Sequence, residues 1–260
     1  MEYAIRQQGK FQYIDEGQGE TLLLLHGLFG ALSNWAGVIE GFRGTHRVVI
    51  PLLPIYDMPL RDAGVPGLVE YVRGFVQATG LDQQPLTLLG NSLGGHIALV
   101  YTLHYPADVS RLVLTGSSGL FEDGMGGSFP KRGNYQYVAE RVAYTFYDPQ
   151  VASRELIDEV FDIVNSNLKC LRIIAIAKSA QRHNLSRELL RLTQPALLIW
   201  GLNDTITPPH VAHEFERLLP NAQLYFIDHC GHAPMMEHPT RFNFLLSRFL
   251  QAAPVHAEAR

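Results

Sequence analysis

The chain has 260 residues, of which 47% are hydrophobic and 18% charged, so it can bury a large core and intrinsic disorder is excluded as its main state. Its formal net charge is −4 with the signs mixed along the chain, which leaves no basic stripe for a nucleic-acid backbone. The two cysteines, Cys170 and Cys230, sit in no CxxC or zinc-like cluster, so two free thiols in a reducing cytosol are expected rather than a disulfide framework.

Residues 1–6 carry neither a basic nor an apolar targeting segment, and apolar runs such as 22–25 and 196–200 fall far short of the roughly 20 residues that span a bilayer. The expectation is a cytoplasmic protein, monomeric or homodimeric, that handles a small molecule without nucleic-acid or membrane partners. Two short alternating runs, 3–6 and 11–15, predict a hairpin across Gln8-Gly9. Apolar β-type runs follow at 21–25, 47–50, 86–89, 112–115, 196–200 and 223–227. Because these runs are continuously apolar, both faces of their sheet must be covered. Helical patterns lie between them at 35–42, 67–78, 93–104, 211–218 and 240–250. The prediction is an α/β protein with a mostly parallel, doubly wound sheet of about eight strands.

One segment breaks the alternation. Residues 119–192 contain no convincing strand, only helix-like stretches at 135–146, 153–164, 168–182 and 187–192. Such an insertion between core strands reads as a helical cap over a pocket. The expected division is therefore a core of 1–118 and 193–251, the cap, and a frayed tail at 252–260.

The chemistry concentrates at strand ends. Gly90-Asn91-Ser92-Leu93-Gly94 follows an apolar run and opens a helical pattern. A sharp strand-to-helix turn needs tiny neighbours, so Gly90 and Gly94 relieve the crowding around a strained Ser92. Ser92 then heads a helix whose first free backbone N–H, that of Leu93, can bind an anion. Its base must be chosen among eleven histidines. His232 lies beyond the last core run, on the same sheet edge as Ser92, with His229 as its competitor. His104, His210 and His213 fall on helices, His256 in the tail, and His26 leads into Gly27-Leu28-Phe29-Gly30. Asp204 follows the preceding strand and is the expected carboxylate to orient His232; Asp228 and Asp57 read as turn or surface groups. Leu28 is expected to supply the second oxyanion N–H, and Phe29, Asn91 and Trp35 to contact substrate.

The segments HGLFG, GNSLGG, WGLND and DHCGHAPMMEHP, in this order, resemble the α/β-hydrolase superfamily over nearly the whole chain. The resemblance implies a Ser92-His232-Asp204 triad, an acyl or tetrahedral intermediate, and no metal or cofactor. Serine at position 92 disfavours the haloalkane dehalogenase and epoxide hydrolase branches. Some relatives hold the acid after the strand that follows the elbow, but that stretch here is Gly116-Ser117-Ser118-Gly119 and has none. GNSLGG with LTGSSG is most similar to the meta-cleavage-product hydrolases, which cleave carbon–carbon bonds. Those enzymes carry a cap arginine near the position of Val160 and an aromatic where this chain has Ala233; Arg132 or Arg182 would have to substitute. The segment Leu52-Leu53-Pro54-Ile55-Tyr56-Asp57 also departs from the relatives' Asp-Leu-Pro-Gly-x-Gly. The reading is a serine hydrolase of carboxylic esters or thioesters with a largely apolar substrate. The alternatives are a carbon–carbon bond hydrolase of a vinylogous keto acid, a non-turnover binding protein, and a lyase using Lys178.

Overall fold

The apolar runs become the inner strands of one sheet in the computed structural model, which describes residues 3–29, 32–121 and 131–252. The strands are β1 (Arg6–Gln8), β2 (Phe11–Glu16), β3 (Thr21–Leu25), β4 (Arg47–Pro51), β5 (Leu86–Asn91), β6 (Val109–Thr115), β7 (Ala196–Gly201) and β8 (Ala222–Ile227). The helices are α1 (Ala36–Phe42), α2 (Val65–Thr79), α3 (Leu93–His104), α4 (Tyr135–Ala143), α5 (Arg154–Asn165), α6 (Asn167–Arg182), α7 (Pro209–Leu218), α8 (Pro234–Glu237) and α9 (Pro239–Gln251). The eight strands run in the order β1-β2-β4-β3-β5-β6-β7-β8. The β1–β2 and β2–β4 pairs are antiparallel, and the others are parallel.

Alternation along each strand sorts side chains onto two faces. Leu23, Leu25, Leu88, Leu112, Leu198 and Trp200 point into a core closed by α2, α3 and α7. Their neighbours Leu22, Leu24, Leu89, Val113, Leu197 and Ile199 point into the opposite core, closed by α1 and α9. A strand apolar on both faces can only sit where helices cover both, which is why the central strands carry no polar alternation.

The chain places β4 on one side of β3 and then crosses back to place β5 on the other. The loops leaving β3 and β5 therefore lie side by side at the carboxyl edge, where open α/β sheets form their crevice.

Some expected boundaries move. The first strand is Arg6–Gln8 rather than 3–6, with Gly9 at φ +58° in the turn. All three β1 residues are exposed, so no buried face holds the register that the alternation alone suggested. The last expected helix of the insertion, 187–192, shrinks to a 3-10 turn at Leu189–Arg191 around the buried Leu189. The helix expected to reach 146 ends at Ala143.

Between β6 and β7, α5 packs against both α4 and α6, and α6 touches α2. Asn134 and Ser153 cap α4 and α5 by accepting from the N–H groups of Tyr137 and Leu156. Residues 122–130 of the expected cap, Gly30 of the β3 loop and residues 253–260 of the expected tail lie outside the described residues.

Candidate active site

Ser92 sits between β5 and α3 with φ +55° and ψ −121°, a backbone region that side chains rarely adopt. Its N–H donates to the Thr115 carbonyl, 3.1 Å away, and its own carbonyl accepts from the N–H groups of Gly95, His96 and Ser118. The turn is possible because its flanks lack side chains. A Cβ on Gly90 would lie 2.3 Å from the Gly94 carbonyl oxygen, and one on Gly94 would lie 2.1 Å from that of Leu25. Helix α3 is thereby pressed against the end of β3, and Leu93 occupies its first turn, where N–H groups have no intrahelical acceptor.

His232 lies in the loop after β8, and its Nδ1 is 2.9 Å from Asp204 Oδ2. Both groups are buried. Asp204 is held from several sides: Oδ1 accepts from the N–H groups of Ile206 and Thr207 at 2.8 and 2.9 Å, and Oδ2 accepts from Thr207 Oγ1 at 2.9 Å. Trp200 Nε1 donates to the Thr207 carbonyl at 2.7 Å and braces the same turn under β7. Gly116, at φ +51°, gives His232 its space, because a Cβ there would lie 2.8 Å from His232 Nδ1.

The histidine loop is clamped by Glu237 of α8. Its two carboxylate oxygens accept from the N–H groups of Gly231 and Tyr147, each at 2.7 Å. Burial and the same carboxylate push the Cys230 thiol well above its usual range, which keeps that thiol protonated and unreactive. His229 stands apart: it is exposed, carries φ +52°, and its Nδ1 lies 3.1 Å from Asp228.

The β3 loop is tied to the segment after β4. Leu53 N–H donates to His26 Nε2 at 3.2 Å, and burial lowers the His26 pKa. The Tyr56 hydroxyl donates to the Leu28 carbonyl at 2.9 Å. The departure at residues 52–57 thus supplies an anchor for the loop that carries the Leu28 N–H.

Ser92, His232, Leu28, Phe29, Asn91 and Leu93 all line one cavity of about 640 Å³. Its far wall comes from α4, the segment that follows it, α5 and α6 and is largely apolar, including Val142, Phe146, Val160, Val164, Ile173 and Ile176. Two expected substrate contacts change role. Trp35 ends the 3-10 turn that leads into α1, is fully buried in the core beside Val38, Ile39 and Phe42, and does not line the cavity. Asn91 reaches the cavity wall, but its amide donates to the carbonyls of Thr115 and His232 at 3.0 and 3.1 Å, so both donors are used to join β6 to the histidine loop.

Of the cap cations, Arg132 lines the cavity and donates to Asn167 Oδ1 at 2.6 Å, while Arg182 lies on a separate groove beside His183. Lys178 is exposed and borders both spaces. Sequence reasoning missed Thr207, Tyr56, Glu237 and Arg141, the last also lining the cavity. The first three act by hydrogen bonds between segments far apart in sequence, which leave no local pattern. Among the described residues, no group of three or more His, Cys, Asp or Glu side chains could hold a metal ion, and no helix is long and apolar enough to cross a membrane.

The sequence profile of the alpha/beta hydrolase family matches residues 22–243. The chain belongs to the alpha/beta hydrolase family. Among its relatives, a monoacylglycerol lipase of Bos taurus, ABHD6, is 25% identical over 93% of this chain and 77% of its own length. A 2-hydroxy-6-oxononadienedioate/2-hydroxy-6-oxononatrienedioate hydrolase of Paraburkholderia phymatum is 28% identical over 93% of this chain and 91% of its own. Among solved structures, MGS-MChE2, an alpha/beta hydrolase enzyme from a sediment metagenome of the Mar Chica lagoon, Morocco, is 42% identical, with a TM-score of 0.78. That match covers 95% of this chain and 97% of the other. The hydrolase-family fold accounts for the eight-stranded order and for helices on both faces of the sheet.

Proposed function

We propose that this protein is a serine hydrolase that cleaves carboxylic esters or thioesters of small to medium, largely apolar acyl groups. Ser92 Oγ attacks the carbonyl carbon while His232 Nε2 takes its proton, and Asp204 holds the histidine in the tautomer with a proton on Nδ1. The backbone N–H groups of Leu28 and Leu93 receive the oxyanion. Collapse of the tetrahedral intermediate expels the alcohol or thiol, which takes the proton from His232. Water then attacks the acyl-enzyme by the same path and releases the acid. No step draws on a metal or cofactor.

The observation that carries this reading is the strained Ser92 opening onto the same cavity as a histidine whose Nδ1 lies 2.9 Å from a buried, multiply hydrogen-bonded carboxylate. We read residues 119–192 as a cap, since α4, α5 and α6 furnish the apolar wall opposite Ser92. A volume of about 640 Å³ suits a ligand of drug-like size.

A time course of p-nitrophenyl acetate and butyrate hydrolysis by the native protein and Ser92→Ala tests the proposal. Sustained turnover in the native protein, reduced by on the order of 10⁴-fold or more in the variant, is expected. A single stoichiometric burst, or release independent of Ser92, would overturn it. The second reading, carbon–carbon cleavage of a vinylogous keto acid, draws on the dienedioate hydrolase relative. Against it, the position where that activity expects a cation is the apolar Val160, and the cavity's arginines, Arg132 and Arg141, enter from other positions. Turnover of a dienoic keto acid well above that of esters would favour it instead.

A further inference from the structure

The other arginines that are at least partly buried find acceptors. Arg47 makes a two-pronged contact with Asp15 at 2.9 Å, Arg73 pairs with Asp108, and Arg172 donates to the Met58 carbonyl at 2.7 Å. Arg141 differs. It projects from the last turn of α4 into the reaction cavity, its Nε is buried, and that atom has no hydrogen-bond acceptor. One face of the guanidinium lies over the Tyr144 ring, with Cζ 5.4 Å from the ring centre. Among the described residues no carboxylate pairs with it.

Leaving a charged donor unmatched beside an apolar wall is unfavourable unless a ligand completes it. The planar fork of a guanidinium matches the two oxygens of a carboxylate. Arg141 also stands one turn before Thr145, whose carbonyl accepts from the His232 N–H at 2.9 Å, so the cation lies on the segment that touches the histidine loop.

We infer that Arg141 is a specificity-determining residue that binds a carboxylate on the substrate, remote from the scissile bond, so that the preferred esters carry a second, anionic end. This rests on the ester-hydrolase reading of Ser92. Monomethyl adipate and methyl hexanoate form a suitable probe pair, since both are methyl esters of six-carbon acids and only the first ends in a carboxylate.

The native protein is expected to favour the adipate by tenfold or more in kcat/KM. Arg141→Gln is expected to lower that ratio at least tenfold through the KM for the adipate, with Arg141→Lys keeping an intermediate ratio. Calorimetric binding of both probes to Ser92→Ala, with and without Arg141→Gln, reads the same preference without turnover. A native ratio near one, or a ratio that Arg141→Gln leaves unchanged, overturns the inference. Loss of Ser92-dependent turnover on both esters, with adipate still preferred in binding, would instead sink the ester reading and leave the carboxylate site standing.

Discussion

At the residue scale, the carboxylate of Asp204 is the most tightly specified group in the site. Two backbone N–H groups, one hydroxyl and the His232 ring converge on its two oxygens. Replacing it with asparagine keeps the shape but presents an amide N–H where His232 needs an acceptor. The imidazole would then turn its basic nitrogen away from Ser92. Asp204→Asn is therefore expected to lower kcat by about 10⁴-fold with little change in KM. Steady-state kinetics on p-nitrophenyl butyrate checks this, and a loss below about tenfold would mean that another carboxylate orients the histidine. Asp204 and His232 were both reachable from local sequence, because each follows an apolar strand run. Thr207 and Tyr56 were not, since a single hydroxyl far from its acceptor in sequence has no periodic signature.

At the scale of elements, the site depends on how closely β-strand ends and helix starts approach. The end of β6 illustrates this. Gly116 has φ +51°, and a Cβ there would lie 2.8 Å from His232 Nδ1. Gly116→Ala is expected to push the imidazole out of line, and a displacement of this kind costs on the order of 10²-fold in rate. Alanine at this positive φ also costs some thermal stability, so the expected result is a fall in kcat measured at a temperature where the variant is still fully folded. Unchanged kcat would show that His232 moves freely there. Element identity was well marked in the sequence wherever apolar period and length agreed, as in β3, β5 and α3. It was poorly marked at β1 and at 187–192. The first has no buried face to hold its register, and the second is too short for a helix and is pinned by Leu189 alone.

At the scale of the molecule, the junction between the sheet and the inserted helices holds a stacked histidine pair with one member buried. His96 of α3 is fully buried, stacks on His183 at the end of α6 with ring centroids 5.1 Å apart, and has no partner for either ring nitrogen. Burial first, and then the neighbouring His183, push its pKa down to about 3. The folded state thus binds fewer protons here than the unfolded one, whose ordinary value is 6.5. The stability involved is fully present above pH 6.5 and drains as pH falls toward about 3, at roughly 1.4 kcal/mol per pH unit. Replacing His96 with phenylalanine removes two unsatisfied nitrogens and the proton-linked loss together. Urea unfolding at pH 7.5 and pH 5 is expected to show a smaller pH difference in His96→Phe than in the native protein. An equal difference would assign the acid sensitivity to other groups, His26 among them.

By itself, the sequence determined the α/β class, the run of strands and helices, and the short segments bearing Ser92, Asp204 and His232. Each is written in contiguous residues: a period, a run of apolar side chains, or a glycine-flanked turn. The tertiary structure alone decided which polar groups surround those segments. It turned Trp35 into core, bound both Asn91 donors to carbonyls, and brought Arg141 rather than Arg182 into the cavity. The reason is physical. Side-chain environment depends on how the turn at Trp35 and the helix α4 are oriented as they pack, and that orientation is set by contacts with residues distant along the chain.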